Sequence, residues 1–125
     1  GFMRILTPAF VQRFAGKLVN IHPSLLPVYK GLHTHRRVLA SGDKRHGCSV
    51  HFVNHELDGG AVIAQAVFDV LPQDNEQTLT ERVHKYEHLL YPQVLSWLAN
   101  GRLSYQHGIP VLDGLVLSHP VRLLF

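Results

Sequence analysis

The chain has 125 residues, 46% hydrophobic and 17% charged, with 12 Lys plus Arg against 9 Asp plus Glu, a formal net charge of +3. That composition fits one globular domain with a core to bury, and it excludes a disordered tail, a collagen-like repeat and a low-complexity linker. The basic residues form no run longer than Arg36-Arg37 or Lys44-Arg45, so neither a nucleic-acid stripe nor a membrane-binding surface is expected.

The single cysteine, Cys48, has no internal disulfide partner, which favours a reducing, cytoplasmic compartment. No apolar stretch approaches the roughly 20 residues that span a bilayer. No basic leader precedes a small-residue cleavage site. Gly1-Phe2-Met3-Arg4-Ile5-Leu6 opens in mid-pattern, as expected of a chain cut within a larger protein.

In chain order, Phe10 to Phe14 suggests one or two helical turns ending near Gly16. Leu18 to Ile21 is short, apolar and partly β-branched, the signature of a buried strand. It runs into His22-Pro23-Ser24-Leu25-Leu26-Pro27, where two prolines impose a defined loop. Thr34 to Ala40 reads as a short helix stopped near Gly42. Gly47 to Asn54 alternates as a strand, with Val50 and Phe52 opposed to His51 and Val53. Ala61 to Val70 reads as a second strand, joined to the first through the turn signal Asp58-Gly59-Gly60. Thr78-Leu79-Thr80-Glu81 has the form of a capping box. Leu79, Val83, Tyr86, Leu90, Val94 and Trp97 then recur at helical spacing. Pro92 is expected to bend this helix, and Asn100-Gly101 to stop it. Short extended pieces follow around Leu103-Tyr105 and Val111-Leu112. The fold class is α/β, in one unit over residues 1–125.

Few residues carry a chemical signal by themselves. Asn20 and His22 stand two apart at a strand's end, so their side chains point to one side. An amide donor beside an imidazole suits the stabilisation of negative charge developing on a carbonyl oxygen. A turn Asn with a surface His is the blander alternative, and Asp58 is equally ordinary as turn chemistry. The ten histidines raise the question of a metal. His33, His35, His51, His55, His84 and His88 have no supporting His-Glu-x-x-His or cysteine pair, so polar pocket or surface roles are favoured and no metal is expected. Cys48 reads as an inert core thiol. Ser24 lies outside any Gly-x-Ser-x-Gly elbow. No glycine-rich phosphate loop is present.

Asn20-Ile21-His22-Pro23-Ser24-Leu25-Leu26-Pro27, then Gly31-Leu32-His33-Thr34-His35, then Glu56-Leu57-Asp58-Gly59-Gly60 resemble the folate-dependent formyltransferases. The match continues through Glu87-His88, Tyr91-Pro92 and Ser96-Trp97 to Gly101-Arg102-Leu103. Gly-Leu-His-Thr-His points to the branch that serves purine synthesis. The resemblance implies a formyltransferase-type central β-sheet with flanking helices, and transfer of formyl from the co-substrate 10-formyltetrahydrofolate to the amine of glycinamide ribonucleotide. The family's catalytic Asn, His and Asp match Asn20, His22 and Asp58. Its folate pocket matches Arg4, Ile5, Leu6, Val11, Leu18, Val53 and Leu57. On the nucleotide side, Met3, Ile21 and Pro23 match substrate contacts, and Glu87 matches a carboxylate that holds the ribose hydroxyls. His84 stands where some members have glutamine.

Asp58 is then expected to raise the pKa of His22 and to relay the amine's proton. The resemblance also implies that the N-terminal nucleotide-binding half, with its phosphate clamp, is absent from these residues. An unpaired sheet edge and weakened activity are the expected consequences. Two alternatives stand beside the transferase: a formyltetrahydrofolate hydrolase, and a non-catalytic folate-binding fragment. Neither oligomeric state nor the role of the apolar stretch from Ser118 to Phe125 follows from the sequence.

Overall fold

In the computed structural model, which describes residues 18–53 and 60–123, hydrophobic pattern and turn chemistry resolve into a four-stranded sheet, two helices and a small three-stranded sheet. The strands are β1 (Val19–His22), β2 (Arg45–Phe52), β3 (Val62–Asp69), β4 (Leu103–Gln106), β5 (Ile109–Leu112), β6 (Leu115–Val116) and β7 (Val121–Leu123). The helices are α1 (Thr34–Ser41) and α2 (Glu76–Ala99). The main sheet has the order β1-β2-β3-β7, with β1–β2 and β2–β3 antiparallel and β3–β7 parallel. The fold class is α/β, as expected.

β2 is the pivot. Its residues from His46 to Phe52 are all buried, on both faces of the strand. One face, Cys48, Val50 and Phe52, joins Ile63, Ala64 and Ala66 of β3 and Leu79, Val83, Leu90, Val94 and Trp97 of α2 in the core. The other face carries Gly47, Ser49 and His51 and is covered by the proline-bounded loop, whose Leu25 reaches to Gly47. Burial pushes the Cys48 thiol up to about 12, so it is a core thiol in substance as well as position.

α2 runs as one element through Pro92. Its cap lies one turn earlier than the Thr78–Glu81 spacing suggests. Asn75 is the N-cap, its side chain accepting from the Thr78 N–H at 2.9 Å while the Thr78 hydroxyl accepts from the Asn75 N–H at 2.9 Å. Asn competes better than a mid-turn Thr for this position, because its short side chain reaches the N3 amide from extended backbone. Arg82 then ties α2 to β3: it pairs with Asp74 at 2.7 Å and lies over the Phe68 ring at 5.0 Å. α1 ends at Gly42, whose φ of 71° is the left-handed stop. α2 ends at Asn100, followed by Gly101 at φ 72°. The apolar stretch after Ser118 gains an explanation: Val121–Leu123 is β7, adding a parallel edge to β3. No described helix is long and apolar enough to cross a membrane.

Gly47 is required by contact rather than by φ. A Cβ there would lie 1.9 Å from the Ala66 carbonyl oxygen and 2.9 Å from Leu25 Cδ2. The first obstacle is backbone, so β2 and β3 would have to part. Gly47→Ala is expected to cost about 1–3 kcal/mol, visible as a lowered thermal midpoint in calorimetry.

Candidate functional site

The site is built on β1, the edge strand of the main sheet among the described residues. Asn20 and His22 alternate onto the face that β2 continues with His51 and Ser49, their direct cross-strand partners. The sequence-based pairing of these two side chains is therefore met by the register. The Asn20 Oδ1 accepts the Ile21 N–H at 2.9 Å, which leaves the amide nitrogen as the donating end. His22 is buried. Its Nε2 lies 2.8 Å from the Tyr29 carbonyl oxygen; a carbonyl only accepts, so Nε2 carries a proton.

The loop after His22 is fastened to the sheet by buried polar groups. The Ser49 hydroxyl donates to the Ser24 carbonyl at 2.7 Å and accepts from the Leu26 N–H at 3.0 Å. Gln65 of β3, opposite Ser49 in register, donates through Nε2 to Ser49 Oγ at 3.0 Å and to the Leu26 carbonyl at 2.9 Å. The Ser24 hydroxyl donates to the Val28 carbonyl at 2.6 Å, and Thr34 Oγ1 to the Pro23 carbonyl at 2.6 Å. Sequence reasoning missed Ser49 and Gln65 and weighed Ser24 only as a nucleophile. The available signal was a polar residue at an inward position of an apolar strand.

Ile21 points to the opposite face of β1, toward α2. There a cavity of about 320 Å³ is lined by Ile21, His84, Glu87, His88, Tyr91 and Pro92. The structure thus brings together Ile21 and Glu87, both expected on the nucleotide side, while Pro23 lies beyond that lining. Burial raises the Glu87 pKa, and the neighbouring His84, His88 and His22 pull it the other way. The His84 Nε2 is 4.0 Å from Glu87 Oε1. His88 bonds through Nδ1 to the His84 carbonyl at 2.7 Å, and Tyr91 donates to the Val19 carbonyl at 3.2 Å, tying α2 to β1. Tyr91 and His88 were not singled out for this pocket; the i, i+4 pairs Glu87–Tyr91 and His84–His88 were the readable sign.

Of the folate-side candidates, Leu18 and Val53 are half-buried neighbours, the Val53 N–H donating to the Leu18 carbonyl at 2.9 Å. Met3, Arg4, Ile5, Leu6, Val11, Leu57 and Asp58 lie outside the described residues, as does the helical reading of Phe10 to Phe14. Among the described residues no group of three or more His, Cys, Asp or Glu could hold a metal ion. His35 and His46 instead bond each other at 2.9 Å, and burial lowers the His46 pKa to about 4.

Residues 1–95 match the formyl transferase family. The chain belongs to that family. Among curated formyl transferase relatives, phosphoribosylglycinamide formyltransferase of Escherichia coli (strain K12) is 59% identical over 114 residues, 91% of this chain and 54% of the relative. The chain spans about half the length of the curated relatives it matches. The solved phosphoribosylglycinamide formyltransferase of Coxiella burnetii superposes with a TM-score of 0.94 at 51% identity, over 98% of this chain and 58% of that one. A formyltetrahydrofolate deformylase from Pseudomonas syringae superposes at 0.83 with 27% identity, over 89% and 37% of the two chains. The expected formyltransferase-type sheet is therefore present.

Two outcomes follow from this geometry. Ser49→Ala leaves the Leu26 N–H and the Ser24 carbonyl without their buried partner, so stability should fall by about 1–3 kcal/mol in urea unfolding. Glu87 has a raised pKa, so the folded state pays for its ionised form above that pKa and nothing once the acid is neutral in both states. Glu87→Gln is therefore expected to leave the thermal midpoint equal or higher near pH 8, with the difference vanishing toward pH 4, read by calorimetry at both.

Proposed function

We propose that this chain is the catalytic and folate-binding part of a phosphoribosylglycinamide formyltransferase, a cytoplasmic enzyme of de novo purine biosynthesis. It moves the formyl group of 10-formyltetrahydrofolate to the amine of glycinamide ribonucleotide. The observation that carries the reading is the Asn20–His22 pair on the edge strand β1, with the Glu87 cavity against the opposite face of that strand. The 59% identity to a phosphoribosylglycinamide formyltransferase, against 27% to a deformylase, supports transfer to an amine over hydrolysis.

Asn20 supplies an amide N–H to the formyl oxygen as it gains negative charge, and a protonated His22 supplies its Nδ1–H while Nε2–H stays on the Tyr29 carbonyl, a donor set suited to an oxyanion. Asp58, four residues before Val62 opens β3, serves as the carboxylate that orients His22 and takes up the amine's proton through water. Leu18 and Val53 form part of the apolar wall beside the folate, with Arg4, Ile5, Leu6, Val11 and Leu57. Glu87, with Ile21, Met3 and Pro23, receives the ribose of the nucleotide, where a carboxylate accepts two hydroxyl hydrogen bonds.

The test is formyl transfer followed by absorbance with a 10-formyl folate analogue, with and without glycinamide ribonucleotide. Turnover that requires the nucleotide is expected; turnover in its absence would establish hydrolysis instead. Folate binding without turnover would leave a binding fragment. Asn20→Ala, His22→Ala and Asp58→Ala should each lower kcat by on the order of 10²–10³, and a near-parental rate in any of them removes that residue from the mechanism.

A further inference from the structure

The group that accepts the His22 hydrogen bond belongs to a residue in an unusual backbone state. Tyr29 is a bulky residue at φ 55°, in the left-handed region that such side chains rarely occupy. That conformation turns its carbonyl back toward β1, where it accepts from His22 Nε2 at 2.8 Å and from the Ser24 hydroxyl at 3.2 Å.

The far end of the same residue is held by α1 and the turn after it. The Tyr29 phenol donates to Asp43 Oδ2. The Arg37 guanidinium lies over the Tyr29 ring at 5.2 Å, and its Nη1 donates to the carbonyls of Lys30 at 2.6 Å and Leu32 at 3.2 Å. Asp43 is itself set by the end of α1, where its N–H donates to the Val38 carbonyl at 3.4 Å just after the Gly42 cap. A carboxylate beside a helix C-terminus sits at the wrong pole of the macrodipole, and the last turn of α1 offers no basic residue to offset it. Its partner is the phenol. The hydrogen bond to Asp43 is also the leading cause of the raised Tyr29 pKa, so the phenol stays a donor.

We infer that Tyr29, latched by Asp43 and Arg37, is a positioning residue for His22: it aims its main-chain carbonyl at Nε2, fixing the imidazole's tautomer and ring plane. The inference rests on the catalytic role of His22 proposed above. The contact is to a backbone atom, so the side chain acts at a distance, by holding Tyr29 in the left-handed state that points the carbonyl. An imidazole with a fixed tautomer presents the same nitrogen to the reacting group in every molecule.

The experiment uses the full chain labelled with nitrogen-15 in its histidines, observed by NMR above the histidine titration range. In the parent, His22 is expected in the Nε2–H tautomer alone. Tyr29→Phe and Asp43→Ala should each give a tautomer mixture, whereas Asp43→Asn, which keeps an oxygen acceptor for the phenol, should retain the parental state. In the transfer assay, the first two variants should lose about 10-fold to 100-fold in kcat with KM for both substrates within about twofold of the parent, and Asp43→Asn should be close to parental. A His22 tautomer unchanged in Tyr29→Phe and Asp43→Ala would overturn the inference, as would a parent with both tautomers populated. Absence of turnover in the parent would count against the proposed function alone, because the tautomer measurement decides the latch without it.

Discussion

A single buried hydroxyl holds the site to the fold. Ser49 Oγ makes three hydrogen bonds, one donated and two accepted, the full capacity of a hydroxyl. Two of its partners are backbone groups of the proline-bounded loop and the third is Gln65, which also holds the Leu26 carbonyl. The loop cannot satisfy these groups within itself, because prolines at 23 and 27 remove donors and bar regular structure. Without the sheet's side chains its buried amide and carbonyls would go unpaired at a cost comparable to a lost hydrogen bond each. The polar face of β2 and β3 is therefore what permits an irregular loop to be as firmly placed as a strand.

That placement explains how one short strand can present different groups on its two faces. Along β1, Asn20 and His22 face the loop side while Ile21 faces α2 and the Glu87 cavity. Tyr91 bonds the Val19 carbonyl and so keeps α2 and β1 at fixed distance. The carboxylate of Glu87 is held where burial penalises its charge, which fits the proposal that it accepts hydrogen bonds from a ligand. The histidines divide by environment: His46 is kept neutral by burial and pairs with His35, while His84 and His88 line the wet side of the pocket.

Much of the fold was legible because it rests on local rules. The core stripe of α2, the αL stops at Gly42 and Gly101 and the β2–β3 pairing follow from periodicity and turn chemistry. Asn20 and His22 were legible as a pair because strand period alone places them on one side. The rest was hidden for physical reasons. Ser49 and Gln65 act through a loop more than twenty residues away in sequence, and Tyr29 acts through its carbonyl, an atom every residue has. β7 was opaque because three residues pairing in parallel carry no pattern of their own. The cap at Asn75 was passed over because a Thr-x-x-Glu match offered itself one turn later.

The central claim is that both faces of β1 serve one ligand site, and amide NMR during titration with glycinamide ribonucleotide tests it most directly. The account predicts that the largest shifts fall on Asn20, Ile21, His22, Glu87 and Tyr91, together and with one dissociation constant. Shifts confined to the separate groove between Pro27, Ile109 and Arg122, with β1 and α2 unmoved, would contradict it.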